Sequence, residues 1–188
     1  DPARALDLMN RSHALGYVFP DLCRARTFDD SGRPLIDHLH STLACAAAID
    51  TRLPVRLAAA FHDLGKVASR RTDPASGVVS YPDHDSRSAR LARKLLARLR
   101  FDGPIIRETV FLIAHHHFPG PTELKSEERA LKRLRRLQAE CRSLERLERL
   151  LALMEADRNA RDEADRIPDR IEWIRRTSRK MKAEGDSS

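Results

Sequence analysis

Apolar positions recur along this chain at spacings of three and four, and runs alternating at two are nearly missing. That pattern predicts helices over Ala3 to Leu15, stopping at Gly16, then Leu35 to Ile49 and Pro54 to Leu64. Further helices are expected over Asp85 to Arg100, Pro104 to His117, Ser126 to Glu140 and Arg142 to Arg161, with a last one beginning near Pro168. Tyr17-Val18-Phe19-Pro20 reads as an apolar exit from the first helix. Arg26 to Pro34, with Asp29-Asp30-Ser31-Gly32, is turn chemistry. Arg70 to Pro82 reads as a loop with a short extended piece at Val78-Val79. From Lys180 onward the chain is polar and expected to fray. The fold class is therefore all-α.

The stretch Ser126 to Arg161 places Leu131, Leu134, Leu137, Leu144, Leu147, Leu151 and Met154 at coiled-coil-like spacing. Two packed helices with solvated outer faces explain it better, because Glu128–Lys132 and Glu145–Arg149 are i,i+4 pairs that support exposed helix surface.

Polar residues on apolar faces carry the chemistry. In Ala58-Ala59-Ala60-Phe61-His62-Asp63-Leu64-Gly65-Lys66, the apolar face of a helix delivers an adjacent His-Asp pair. The pair either caps the helix end or supplies two ligands to a divalent metal. On the second helix, Ile36, Leu39, Leu43, Ala46 and Ala47 define the apolar face. His40 sits at its edge, as a ligand or as a packed core histidine. His38, about 200° away, is read as a surface residue. His84 opens the fourth helix, where it is a ligand, a phosphate contact or a cap-region histidine, with Asp83 or Asp85 as the cap. At the end of the fifth helix, His116 and His117 both fall within the buried stripe, and periodicity does not choose between them. Asp157 stands on the face of Leu147, Leu151 and Met154, where an acid must meet an arginine or a metal. Lys66, Arg70 and Arg71 are placed to receive phosphate charge or are solvated surface. His13 is expected on the surface.

The 188 residues suffice for one domain, and the start at Asp1 suggests a piece of something longer. No apolar run is long enough for a membrane helix. Three scattered cysteines without a CxxC argue against a disulfide framework and for a reducing cytoplasm. A net charge of +7 suits a polyanionic partner or an ordinary solvated arginine-rich surface.

In order, His40-Ser41, Val55 to Lys66 with His62-Asp63, Pro82-Asp83-His84-Asp85, Leu112-Ile113-Ala114-His115-His116 and Asp157 resemble the HD superfamily of metal-dependent phosphohydrolases. With Phe19-Pro20-Asp21-Leu22, the likeness is closest to the HD region of the bacterial tRNA nucleotidyltransferase and poly(A) polymerase family. The chain has Asp83 and Asp85 where that family often has Gly and Glu. The resemblance implies an HD-domain helical bundle over 35–167, a leading helix and connecting loop packed on it over 1–34, and a C-terminal helix and polar tail over 168–188. It favours His116 over its neighbours. It implies a divalent ion (Mg, Mn, Ni or another) on His40, His62, Asp63 and Asp157, with Asp63 orienting or deprotonating water. His84, His116, Arg70 and Arg71 would be auxiliary metal or phosphate contacts. Substrates would be nucleotide or RNA phosphoesters such as 2′,3′-cyclic phosphates. The alternative is a non-catalytic helical scaffold for tRNA, using the arginines from Arg129 to Arg149. The Gly-Ser loop and paired carboxylates of a nucleotidyltransferase head are not found in these residues, so that domain is expected elsewhere in the full-length protein.

Overall fold

Helix α4 (Leu35–Ile49) shows how the core is assembled. Its buried side carries Leu35, Ile36, Leu39, Leu43 and Ala46, each at most 5% exposed. Burying each leucine contributes about 1.5–3 kcal/mol relative to leaving it in water. The computed structural model describes residues 1–30, 32–161 and 170–185. The expected helix start near Pro168 lies outside them.

The other elements arrange themselves around α4 and α5 (Leu53–Phe61). Pro54 stands in the first turn of α5, where its missing N–H costs nothing. Ala58, Ala59 and Ala60 are all buried, and their small side chains let α5 lie against α4, α8 (Gly103–His115) and α11 (Leu144–Asn159) at once. Helix α7 (His84–Arg98) packs on α8 and on the single turn α6 (Lys66–Ser69). Two hairpins of two-residue strands, Asp29–Asp30 with Arg33–Pro34 and Arg71–Thr72 with Val79–Ser80, sit in the two turn-rich stretches. The extended piece expected at Val78-Val79 is displaced by one residue.

The first helix is shorter than its periodicity suggested. α1 spans Pro2–Arg11, capped by the Asp1 carboxylate on Ala3 N and Arg4 N. His13 then takes a left-handed φ of 61°, which ends the helix before Leu15. Gly16 is no stop: it lies within the turn α2 (Leu15–Val18). Pro20–Thr27 forms α3, absent from the sequence reading, with Pro20 at its start and Leu22 and Ala25 buried.

α10 (Glu127–Cys141) and α11 are separate helices, divided at Arg142 with φ 62°. Ser126 and Ser143 cap them through their hydroxyls. The expected solvated outer face holds for α10 but not for α11. α11 is buried at Leu150, Leu151, Ala152, Leu153 and Met154 in succession, because α12 (Arg170–Gly185) covers the side away from α4 and α5. Glu145–Arg149 is an ion pair, whereas Glu128–Lys132 is not one among the described residues. The tail is helical as far as Gly185, so the fraying expected from Lys180 does not begin there.

Candidate metal centre

Four histidines and two aspartates converge where α4, the end of α5, the start of α7, the end of α8 and α11 meet. His62 is fully buried, and its Nδ1–H donates to the Ala59 carbonyl at 3.0 Å. His116 and His84 repeat this device, with Nδ1 at 2.7 Å from Ile113 O and 2.8 Å from Tyr81 O. In each case Nε2 is left facing inward, as a lone pair when the ring is neutral and as an N–H donor when it is charged, and three such atoms close on Asp63. His62 Nε2 lies 3.4 Å from Asp63 Oδ2, and His84 and His116 Nε2 each lie 3.5 Å from Oδ1.

The fourth ring comes from His38, not His40. His38 is 2% exposed and its Nε2 sits 3.0 Å from Asp157 Oδ1, 3.3 Å from His62 Nε2 and 3.6 Å from Asp63 Oδ2. His40 is half-buried and belongs to neither group of candidate ligands. The inversion has a simple cause. α4 buries a second line, Leu35, His38 and Thr42 at i−3 and i+4, because α11 covers that side as well. The buried face of α4 is wider than the stripe of Ile36, Leu39, Leu43, Ala46 and Ala47.

Two sets of donors lie within 4.8 Å of one another: His38, His62 and Asp157, and His62, Asp63 and His116. Nitrogen and carboxylate oxygen ligands of this kind suit a first-row divalent ion or magnesium. An observation at Asp63 supports the fit. Both of its oxygens are buried without a hydrogen bond, and Lys66 Nζ, 2.9 Å from Oδ2, is an ion-pair contact outside hydrogen-bond geometry. A buried carboxylate with free lone pairs is costly unless cations meet it.

The electrostatics follow from that crowding. Burial alone would raise the pKa of Asp63, but His62 and Lys66 beside it hold the carboxyl well below its usual range. Asp157 is likewise held low, against its burial, by hydrogen bonds from His38 and His62 and by Arg161. Burial would push His62 down, yet the charges of Asp63 and Asp157 lift it to about 10. Burial dominates at His38 and lowers its pKa. Lys66 is held in the charged form, despite burial, by Asp63 and by Asp30, whose Oδ2 is 2.8 Å away.

His38 carries a further constraint. Its Nδ1 lies 2.9 Å from Arg33 Nη2, and a guanidinium can only donate. The neutral ring therefore bears its proton on Nε2, which donates to Asp157. For His38 to ligate through Nε2, that proton must move to Nδ1 and Arg33 must release the ring. Arg33 also donates to Ala160 O at 3.0 Å.

A cleft of about 590 Å³ opens above these residues, lined by His38, His84, His116, His117, Lys66 and Tyr81 and, at its rim, by Asp30, Gly32, Arg33 and Arg161. The structure thus separates the expected set. His62, Asp63, Asp157, His84 and His116 come together. Lys66 joins them as a buried partner of two carboxylates. Arg70 and Arg71 are exposed and do not line the cleft. The cleft's guanidiniums are Arg33 and Arg161, which the sequence reading passed over. Asp157 meets an arginine, one of the two partners expected for a buried acid, with Arg161 Nη2 3.1 Å from its Oδ1, and it also belongs to one of the candidate donor sets. Asp83 occupies the cap position of α7 without a side-chain cap bond, and Asp85 instead meets Ser86 N. Asp83 has φ 56°, a left-handed conformation that accounts for the glycine common there in the resembling family.

The model of the HD domain family matches residues 35–162. The chain belongs to the HD domain family. Within it, the chain is similar to a "Multifunctional CCA protein" of Cupriavidus taiwanensis, 30% identical over 165 residues that cover 85% of this chain and 39% of that protein. It is 30% identical over 163 residues to a "CC-adding tRNA nucleotidyltransferase" of Thermus thermophilus, covering 84% of this chain and 36% of the relative. It is 27% identical over 165 residues to an "A-adding tRNA nucleotidyltransferase" of Deinococcus radiodurans, with 85% and 36% coverage. This HD domain chain thus spans roughly two fifths of the length of the curated relatives it matches. No helix among the described residues is long and apolar enough to cross a membrane.

Proposed function

We propose that the chain is a metal-dependent phosphohydrolase acting on nucleotide or RNA phosphoesters such as 2′,3′-cyclic phosphates. The observation that carries this reading is the convergence of inward-facing imidazole Nε2 atoms on a buried Asp63 whose oxygens lack hydrogen bonds, next to a cleft lined by His38, His84, His116, Arg33 and Arg161. His38, His62, Asp63 and Asp157 would hold a divalent ion, with His84 and His116 as auxiliary ligands. When bound, the ion would lower the pKa of water and polarise a phosphoryl oxygen.

The chain's own groups supply the rest. Asp63, kept ionised by Lys66, accepts a hydrogen bond from the attacking water or takes its proton. Arg33 and Arg161, which line the cleft, bring guanidinium donors to the phosphate's negative charge. Opening a 2′,3′-cyclic phosphate adds hydroxide to phosphorus and a proton to the departing ribose oxygen, leaving a phosphomonoester. That proton is the one the attacking water gives up at Asp63.

The relatives' names supply the context. An activity beside a tRNA nucleotidyltransferase unit in a cytoplasmic protein, with tRNA as partner, fits the chain's coverage of them. The test is hydrolysis of 2′,3′-cyclic AMP by the purified chain supplied with Mn, Ni or Mg. Asp63→Asn should lower the rate by about 10²-fold or more.

A non-catalytic RNA scaffold is the second reading. Exposed Arg129, Lys132, Arg133 and Arg135 on α10 favour it. Arg146 and Arg149 do not, since both are bound to Glu108. Metal binding with no turnover of any phosphoester, together with tight RNA binding, would select it.

A further inference from the structure

Helix α7 leaves the candidate metal centre and carries an unusual surface. Between Asp85 and Asp102 the chain has no acidic residue, while Arg87, Arg90, Arg93, Lys94, Arg98 and Arg100 are all basic. The buried face of α7 is Ser88, Ala89, Ala92, Leu95 and Leu96. At 100° per residue, Arg87, Arg90, Lys94 and Arg98 form one stripe on the opposite side, with Arg93 on its flank. From Arg87 to Arg98 the stripe runs about 17 Å along the axis. Its inner end is one turn from His84, whose Nε2 faces Asp63.

No acidic side chain answers these cations among the described residues. Elsewhere arginines are commonly paired: Arg146 and Arg149 with Glu108, Arg170 with Glu123, and Arg175 with Glu148. No arginine or lysine of α7 enters an ion pair among the described residues. Arg98 donates to the Val18 carbonyl, and Arg87 Nε is buried with no hydrogen-bond partner. The face exposes no large apolar side chain, which a membrane-surface helix would need.

We infer that α7 is a track for the phosphates of an RNA strand whose end lies in the cleft. The substrate class is then a terminal phosphoester on an oligonucleotide rather than a free mononucleotide. This rests on the phosphohydrolase reading for its chemistry, but the track itself is testable without turnover. A strand laid along the stripe exchanges its counterions for four or five fixed cations, so its affinity must depend steeply on salt.

The experiment compares the full chain with an α7 variant, Arg90→Gln/Arg93→Gln/Lys94→Gln, and an α10 variant of equal charge loss, Arg129→Gln/Lys132→Gln/Arg133→Gln. Circular dichroism checks that each is folded. The probes are 2′,3′-cyclic AMP and a short single-stranded RNA ending in a 2′,3′-cyclic phosphate, the latter also followed by fluorescence anisotropy. The α7 variant should weaken RNA binding and raise its KM by roughly tenfold at 0.1 M salt. It should also flatten the log–log salt slope by about 2 units, near 0.7 for each lost phosphate contact. Its turnover of cyclic AMP should stay within twofold of the unmodified chain. Equal losses in the two variants, unchanged binding in the α7 variant, or capture by phosphatidylserine vesicles with none of RNA would each overturn the inference. Absence of hydrolysis with α7-dependent RNA binding would instead sink the hydrolase reading and leave the track standing.

Discussion

Lys66 holds the charge balance of the site at the scale of one residue. It is buried between Asp63 and Asp30, at 2.9 and 2.8 Å, so removing it strands the buried Asp63 carboxylate and the part-buried Asp30. Lys66→Met should destabilise the metal-free protein by about 3–5 kcal/mol in chemical denaturation. A lysine that only received substrate phosphate would leave stability unchanged. The same scale shows what a sequence can display. His62, Asp63 and Asp157 were legible because each is a polar group on an unmistakably apolar helix face. His38 was not, because a second buried line on α4 exists only once α11 packs there, and Thr42 gives that line no apolar signature. Arg33 and Arg161 were invisible for a related reason: an arginine at a cleft rim has the same local sequence as one in water.

Among elements, the His-Asp turn lies against the start of α7 closely enough at Gly65 to exclude a Cβ. Gly65 has an ordinary backbone conformation, but a Cβ there would meet His84 O at 2.2 Å and Ser88 N at 2.8 Å. Gly65 N also donates to Ser88 Oγ at 2.8 Å. Gly65→Ala must therefore push the start of α7 outward and carry His84 away from Asp63. The expected cost exceeds the roughly 1–3 kcal/mol of ordinary overpacking, because backbone rather than a flexible side chain is struck. Thermal denaturation should show it, and Gly103→Ala, whose Cβ would meet only the flexible end of Arg107 at 3.1 Å, is the contrasting control. Long helices were readable from periodicity, and their ends follow from Pro54 and from the serine caps of α10 and α11. One-turn and two-turn helices such as α2 and α3 were not, since eight residues or fewer hold too few repeats to define a face.

At the scale of the whole molecule, ion pairs tie the start of α5 to α8 and α11. Asp50 accepts from Arg52 Nε at 2.9 Å, Arg52 reaches Glu145 at 3.4 Å, and Arg149 joins Glu145 to Glu108. Burial would raise the pKa of Asp50, but its hydrogen bonds from Arg52 lower it below 3.8. A depressed folded pKa gives stability that is fully present above the unfolded value and lost as pH falls through the folded one. Asp50→Asn should cost about 1 kcal/mol at pH 7, a modest figure because Arg52 is half-exposed to water. That difference should shrink below pH 3.8 and vanish in stronger acid, as urea denaturation across pH would show. The bundle's class was clear from its periodicity, whereas the cleft arises only from how five elements converge. A divalent ion held through His38 rather than His40 is best checked by metal content. The chain and its His38→Ala, His40→Ala and Asp63→Asn variants would be loaded with Mn(II), desalted and analysed for bound metal. The unmodified chain and His40→Ala should retain the ion alike, while His38→Ala and Asp63→Asn lose most of it. An unmodified chain that keeps no divalent ion, or a His40→Ala protein that loses it while His38→Ala does not, would contradict the account.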